Sequence, residues 1–96
     1  MSPLVVRPLA EEDASAAFDW YETQRAGLGD GFSDDLSRSF AAIARSPMLH
    51  PPVDGQLRRL NLRRFPYGVY YVANDTGVEV VAIFHHSRNP DILSRR

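Results

Sequence analysis

The stretch YGVYYVANDTGVEVVAIFHH, residues 67–86, decides the predicted fold because it contains two strands joined by a tight turn. Residues 67–74 and 77–86 are both rich in β-branched and aromatic side chains, which favour extended backbone. The sequence NDTG between them is typical of a hairpin turn. We therefore expect an antiparallel β-hairpin in the C-terminal half of the chain.

A third strand is predicted just before this hairpin, in the sequence LRRLNLRRF, residues 57–65. Leucines alternate there with polar residues, so Leu60 and Leu62 face one side of a sheet. The polar residues at the intervening positions face the other side: Arg59, Asn61 and Arg63. This strand therefore has one apolar and one basic face.

The remaining non-helical segments are short. PLVVR, residues 3–7, is β-branched and bounded by prolines, which is typical of an edge strand. SPMLHPPVDG, residues 46–55, is predicted to be a loop, and residues 87–96 a short tail.

Two helices are predicted between the first strand and that loop. The first covers residues 10–27, after Pro8 ends the strand, and the second covers residues 32–46, before Pro47. The glycine-rich sequence at residues 27–31 separates them. The second helix carries an apolar stripe at helical spacing: Phe32, Leu36, Phe40 and Ile43. A short connection of this kind predicts an antiparallel helix hairpin.

The element order is therefore β-α-α-β-β-β in a single domain of residues 1–96. It predicts an α+β fold, with the helix hairpin packed on one face of a small antiparallel sheet. The other face is expected to be free and to carry the arginines. Acidic residues near the helix starts are expected on solvated faces: Glu11, Glu12, Asp13, Asp34 and Asp35.

The composition is that of a globular chain, with 44% hydrophobic and 24% charged residues. There is no cysteine, no apolar run long enough to span a bilayer and no signal-peptide pattern at the start. The sequence therefore predicts a cytoplasmic protein that does not bind membranes.

Charge is distributed unevenly, although the formal net charge is only −1. Residues 1–56 hold nine acids and four arginines, whereas residues 57–96 hold three acids and seven arginines. All eleven basic residues are arginine, whose planar fork suits phosphate or carboxylate. A genome biased toward arginine codons is the alternative explanation.

One candidate chemistry is cleavage of an RNA phosphodiester. His85 would act as general acid or base, and Arg88 and Arg64 would stabilise the developing negative charge. The alternative is a histidine that only ends a strand. Strict alternation would place His85 with Glu79, Val81 and Ile83, and His86 on the opposite face.

A second candidate is a binding surface for phosphates or for an acidic protein. Its residues would be Arg58, Arg59, Arg63, Arg64, Tyr67 and Arg88. The alternatives are a solvated face paired with the acidic helices, and tyrosines (Tyr67 and Tyr71) that pack in the core. No cofactor is expected, and His50, His85 and His86 lack the spacing of zinc ligands.

Four segments together give the chain a family resemblance. WYETQRAGLGDGF (residues 20–32), IARSP (43–47), RRLNLRRFPYGVYY (58–71) and VVAIFHHSRNP (80–90) resemble the RelE/ParE toxins of type II toxin–antitoxin modules. The match covers nearly the whole chain in the same order. The fold implied by this resemblance agrees with the β-α-α-β-β-β order.

The resemblance implies a growth-inhibiting toxin, as in plasmid-stabilising modules, held inactive by a cognate antitoxin in a hetero-oligomer. ParE-like members inhibit DNA gyrase, whereas RelE-like members cut mRNA on the ribosome with basic residues and a terminal tyrosine or histidine. This chain has no lysine and no tyrosine after Tyr71, and Ile92 and Leu93 stand where relatives often have tryptophan. These departures and the near-neutral charge favour the gyrase interpretation. The ribosomal endonuclease and a degenerate, non-toxic interaction domain are the alternatives.

Overall fold

The structure, a computed structural model, describes residues 1–96 apart from the side chain of Pro90. Its elements are, in chain order, β1 (Leu4–Val6), α1 (Pro8–Gln24), α2 (Leu28–Arg45), β2 (Pro52–Asp54), β3 (Leu57–Asn61), β4 (Tyr67–Asn74), β5 (Gly77–His85) and a C-terminal 3₁₀ helix (Pro90–Arg95).

The five strands form one sheet in the order β1-β5-β4-β3-β2. All neighbours are antiparallel except β1 and β5, which pair in parallel. The two helices carry the chain from β1 across one face of the sheet to β2 at the far edge, and β3, β4 and β5 then return strand by strand until β5 lies beside β1. The predicted α+β class, with a helix hairpin on one face, is confirmed. The prediction of a purely antiparallel sheet is wrong for this one pair.

The predicted loop at residues 46–55 contains the extra strand β2. Its Pro52 and Asp54 lie opposite Arg58 and Leu57 at the edge of the sheet. Proline is tolerated there because an edge strand leaves one row of backbone groups unpaired. Three residues are too few to show the alternating pattern by which the other strands were recognised.

The turn before β2 is held by two side chains from β3 and β4. Arg58 Nη1 donates to the carbonyl oxygens of Met48 and His50, at 3.3 and 2.5 Å. The Tyr71 hydroxyl donates to the Pro47 carbonyl at 2.6 Å. Arg58 and Tyr71 are cross-strand partners, so they hold this turn together. Tyr71 is fully buried, which confirms its predicted core role.

Helix α2 begins earlier than predicted, inside the glycine-rich sequence at residues 27–31. Helix α2 begins at Leu28, and Gly27 is the linking residue with a left-handed φ of 89°. Glu22 Oε1 of α1 accepts the N–H groups of Gly27 and Gly29, at 3.0 and 2.8 Å. These two contacts satisfy donors that a helix start leaves unpaired. The α2 helix can therefore begin inside the glycine-rich sequence.

The main core lies between the helices and the sheet, and aromatic rings fill one end of it. Tyr21 stacks on Phe32 at 5.5 Å between ring centroids and meets Phe65 edge-on at 4.8 Å. Tyr67 meets Phe32 edge-on at 5.1 Å. Edge-to-face geometry of this kind adds to the energy of burial. The predicted apolar stripe of α2 contacts this core.

The opposite face of the sheet, here called the outer face, is not free as predicted. Its centre consists of Tyr70, Ala82 and Phe84, all buried. Leu57 of β3 packs against them, and so do Ile92 and Leu93 of the C-terminal 3₁₀ helix. The tail folds back because it removes apolar and aromatic surface from water.

A β-bulge shifts the faces of β5. Tyr70 lies opposite Ala82 and Tyr71 opposite Val80, so Val81 has no partner in β4. Val80 and Ile83 therefore both face the helices. The predicted grouping of His85 with Glu79 and Val81, which assumed unbroken alternation, is wrong.

Beyond the end of β1, a charged pair closes the edge of β5. Asp13 Oδ2 accepts the Ile83 N–H at 3.0 Å and Arg96 Nη1 at 2.7 Å, and Asp13 Oδ1 accepts Arg96 Nη2 at 3.0 Å. Arg96 Nη1 also donates to the Val81 carbonyl at 3.2 Å. The two side chains are only 9% and 10% exposed. We call this pair the Asp13–Arg96 clasp.

Two of the acids predicted on solvated faces are therefore turned toward the protein: the Asp13 side chain is only 9% exposed, and Asp35 is buried. Asp13 belongs to the clasp, and Asp35 is fully buried where α2 faces the turn between β3 and β4. Asp35 Oδ2 accepts the backbone N–H of Arg64 at 2.8 Å. Both carboxylates satisfy backbone donors that have no partner in a helix or strand ladder, and this compensates for part of the cost of burying charge.

Replacing Asp13 with alanine is expected to lower the free energy of unfolding by about 3–5 kcal/mol. The variant leaves the Arg96 guanidinium buried without its partner and the Ile83 N–H without its acceptor. Urea unfolding followed by far-UV circular dichroism measures the change. Asp19→Ala, an exposed acid on the same helix, is the control. Equal stability of the two variants would contradict a structural role for the clasp.

The stability should also fall at alkaline pH. Burial raises the pKa of Tyr21, Tyr67 and Tyr71 above the ordinary value of 10.0. Above about pH 10 the unfolded tyrosines lose protons that the folded ones retain, so the free energy of unfolding decreases as pH rises. Below that pH the contribution is fully present.

Urea titrations from about pH 8 to about pH 11 measure this slope. The arginines stay charged throughout this range, so the tyrosines dominate the change. Tyr21→Phe keeps the ring but removes one ionisable group, and it should make the slope shallower. An unchanged slope in this variant would show that Tyr21 does not contribute.

Candidate functional site

A pocket of about 360 Å³ lies between α1 and the end of β5. It brings together three predicted site residues, Tyr67, His85 and Arg88, with Trp20 of α1. The pocket can form because β1 ends at Val6 and leaves the last part of β5 without a neighbouring strand. Trp20 is 56% exposed, so one wall of the pocket is a large aromatic surface in contact with water.

The His85 ring is held in one orientation. It meets the Tyr67 ring edge-on at 5.2 Å between centroids. Its Nδ1 accepts the backbone N–H of Ser87 at 3.0 Å and lies 2.8 Å from the Ser87 hydroxyl. Because a backbone N–H can only donate, Nδ1 carries no proton and the neutral ring carries its proton on Nε2. In this arrangement the Nδ1 lone pair is engaged by Ser87, so His85 could act as a general base only after releasing the Ser87 N–H.

Arg88 is engaged by its own chain. Its guanidinium lies over the Phe84 ring at 4.1 Å, and its Nη1 is 3.6 Å from Asp13 Oδ1. Arg96 lies over the same ring at 4.8 Å. The Asp13 carboxylate thus balances part of the positive charge of the pocket.

Arg64, the third residue of the predicted catalytic set, is not among the residues that line this pocket. It lies in the turn between β3 and β4, where its backbone N–H is bound by Asp35. His85 and Arg88 are therefore brought together, but Arg64 is not brought to them.

The predicted binding arginines lie on different surfaces. Arg58 faces the helix side and binds the turn before β2, so its role in this fold is structural. Arg59 lies on the outer face, 5.9 Å from the centre of the Tyr70 ring. Arg63 lines a third surface, a pocket between α2 and β3. The cluster that looks continuous in sequence is divided in space, since neighbouring strand residues face opposite sides.

Arg59 borders the largest of these pockets, about 550 Å³ on the outer face. It lies between the edge strands and the C-terminal 3₁₀ helix, and its walls include Tyr70, Asp54 and Asp91. Two carboxylates thus line the same groove as one arginine. This arrangement makes the groove less basic than the sequence of β3 suggests.

Tyr67 links the core to the first pocket. It is half-buried, and its pKa is raised mainly by burial and in addition by the negative charge of Asp13. It is therefore a neutral hydroxyl at ordinary pH, able to donate or accept a hydrogen bond.

Sequence reasoning missed three residues of this region: Asp13, Trp20 and Arg96. Trp20 could have been predicted as an exposed aromatic residue, because it lies outside the helical face of α1 that contains the buried Ala17 and Tyr21. Asp13 and Arg96 gave no signal, since they are 83 residues apart and meet only after the tail folds back.

Two further searches covered the part of the chain that the structure describes. Among these residues, no three histidine, aspartate or glutamate side chains come close enough together to hold a metal ion. None of the helices described is both long and apolar enough to cross a membrane.

Comparison with known proteins adds the family. A family model described as "ParE toxin of type II toxin-antitoxin system, parDE" matches residues 4–90. A solved structure titled "Chromosomal ParDE TA system from P. aeruginosa" has the same fold, with a TM-score of 0.78 and 17% identity over 88% of this chain and 96% of that one. No curated protein matches the sequence. With the family match extending over nearly all of its strands and helices, the chain belongs to the ParE toxins of type II toxin–antitoxin systems.

Proposed function

We propose that this chain is the toxin of a type II toxin–antitoxin pair and that a cognate antitoxin holds it inactive in a hetero-oligomer. It acts in the cytoplasm as a single domain. The family match over residues 4–90 supports the toxin role. The solved relative is titled as a toxin–antitoxin system, which supports a protein partner for this chain as well.

The target that we propose is DNA gyrase, inhibited by protein–protein contact without cleavage of nucleic acid. The observation that carries this choice is the state of His85, whose Nδ1 is occupied by the Ser87 N–H. A general base needs a free lone pair within reach of the proton that it removes. In this structure the lone pair of His85 is directed at the Ser87 N–H instead.

The charges support the same choice. Arg88 faces Asp13, and Arg64 lies outside the His85 pocket, so the pentavalent phosphate of a cleavage reaction would meet little uncompensated positive charge. The formal net charge of −1 also gives no general attraction toward ribosomal RNA.

The second candidate is a ribosome-dependent mRNA endonuclease. The observation that favours it is the grouping of Tyr67, His85 and Arg88 around one pocket with the exposed Trp20, on which a base could stack. For this reaction His85 would have to release the Ser87 N–H. A degenerate, non-toxic interaction domain is the third candidate, and harmless expression without antitoxin would support it.

Replacing His85 with alanine should leave toxicity unchanged, because the proposed inhibition of gyrase uses no histidine base. His86→Ala, an exposed histidine next to it, is the matched control. Induced expression in a bacterial host, with separate measurements of growth, DNA damage and in-frame mRNA cuts, tests this. Purified toxin should inhibit supercoiling by gyrase.

The endonuclease gains support if His85→Ala alone abolishes both toxicity and mRNA cuts. In that case gyrase would remain fully active at saturating toxin, and the proposed target would be wrong.

Antitoxin binding is expected to depend on exposed arginines around β3. The double variant Arg59→Glu and Arg63→Glu should weaken the toxin–antitoxin complex by roughly tenfold or more, because two charge-assisted contacts become repulsive. Calorimetry with the antitoxin encoded beside the toxin measures the affinity. The control, Arg25→Glu with Arg95→Glu, makes the same change in net charge at exposed arginines elsewhere. Equal affinity of the two double variants would refute this placement.

A further inference from the structure

One of the two edges of the sheet is blocked and the other is partly open. On one side, the Asp13–Arg96 clasp binds the Ile83 N–H and the Val81 carbonyl of β5, so a further strand cannot pair there. On the other side, β2 covers β3 only at Leu57 and Arg58. The last part of β3 therefore has an edge without a neighbouring strand.

Asn61 presents its backbone at this open edge. Leu62 donates its N–H inward, to the Tyr67 carbonyl of the β4 side, at 2.9 Å. Since backbone groups of successive strand residues point to opposite edges, the N–H and carbonyl of Asn61 point outward. Asn61 is exposed, so an extended chain can approach these groups.

A pocket of about 340 Å³ lies directly beside this edge, between α2 and β3. Its apolar part consists of Ala41, Ala42 and Leu60. Its polar part contains three arginines, Arg38, Arg45 and Arg63, two of them from α2 and one from the turn after β3. The pocket thus combines a small apolar floor with converging positive charge.

Most of this charge has no partner in the fold. Within the described part of the chain, Arg45 and Arg63 take part in no ion pair. The Arg38 side chain is half exposed. Its Nη2 lies 3.9 Å from Asp35 Oδ1, a distance too long for a hydrogen bond. Asp35 Oδ1 has no hydrogen-bond partner and is closed to solvent.

We propose that the open edge of β3 and this pocket form a docking surface for an extended, acidic segment of a partner protein. The segment pairs with the backbone of Asn61 and places a small apolar side chain on Ala42 and Leu60. Its carboxylates bind Arg38, Arg45 and Arg63. If the partner is the antitoxin, the inference rests on the proposed function and assigns the acidic segment to this surface.

A protein segment explains these features better than RNA does. The exposed backbone groups of Asn61 match the hydrogen-bonding pattern of another strand, as in strand addition at a sheet edge. The floor of alanine and leucine carries no aromatic ring on which a base could stack.

The probe is a blocked peptide of alternating glutamate and valine, titrated into the ¹⁵N-labelled full chain. Saturable shifts are expected at the amides of Asn61, Arg63 and Ala42. A peptide with lysine in place of glutamate should bind roughly tenfold more weakly or worse. Shifts confined to another surface, equal affinity of the two peptides, no binding at millimolar peptide, or stronger competition by single-stranded oligouridine would each overturn the proposal.

Two variants test the surface itself. Ala42→Glu places a carboxylate on the pocket floor, and Arg45→Glu reverses one of the cations. Each should weaken the glutamate peptide roughly tenfold. Ala16→Glu makes the same substitution in the other pocket, between α1 and β5, and should leave peptide affinity unchanged. Circular dichroism and thermal melting confirm that each variant is folded.

The outcome is independent of the toxin assignment. A chain that remains toxic and is neutralised by its antitoxin, but does not bind the peptide, retains the proposed function and loses this docking surface. A chain that binds the peptide at Asn61 but is harmless on expression retains the surface and loses the toxin role.

Discussion

The hydrogen bonds accepted by the Asp13 carboxylate hold the first helix, the last strand and the C-terminal tail together. It belongs to α1, yet it accepts the Ile83 N–H of β5 and both guanidinium nitrogens of Arg96. A buried ion pair gives little net stability by itself, because both charges lose their water. Here the pair also satisfies backbone groups at a strand edge, so it closes the sheet where β1 ends. The clasp therefore connects the first helix, the last strand and the tail.

The same carboxylate shapes the electrostatics of the candidate site. It lies 3.6 Å from Arg88 and contributes to the raised pKa of Tyr67. Judged by residue type alone, a pocket that contains His85, Arg88 and Tyr67 is suited to phosphate chemistry. Asp13, however, balances part of the positive charge of the pocket, and the Nδ1 atom of His85 is engaged by Ser87. This difference between residue types and their actual partners is what led us to propose gyrase, and not RNA, as the target.

The sheet has one guarded edge and one open edge, and this asymmetry has a physical meaning. Unpaired strand edges invite pairing with other chains, so proteins usually block them. The clasp blocks β5 with buried charge, whereas β2 covers only the first residues of β3. The open part adjoins three arginines that find few partners within the chain. A surface left in this state is better explained by a partner than by chance exposure.

Much of the fold could be predicted from local patterns. The β4–β5 hairpin, the apolar stripe of α2 and the position of the helices on one face follow from periodicity, because each depends on neighbours in sequence. The errors have local causes as well. Strand β2 is too short to show a period, and α2 begins before Phe32, at Leu28, because Glu22 caps its start. The bulge at Val81 exchanges the two faces of β5 in a way that alternation cannot show.

The candidate site was predicted less well. Sequence alone identified the elements, the family resemblance, and His85, Arg88 and Tyr67, which do meet in one pocket. Only the tertiary structure decided which arginines are free, which acids are buried and which sheet face the tail covers. The reason is that these outcomes depend on contacts between distant segments, such as Asp13 with Arg96 and Asp35 with Arg64. Residue type states what a side chain can bind, but the packed fold decides whether its partner lies inside the chain or outside it.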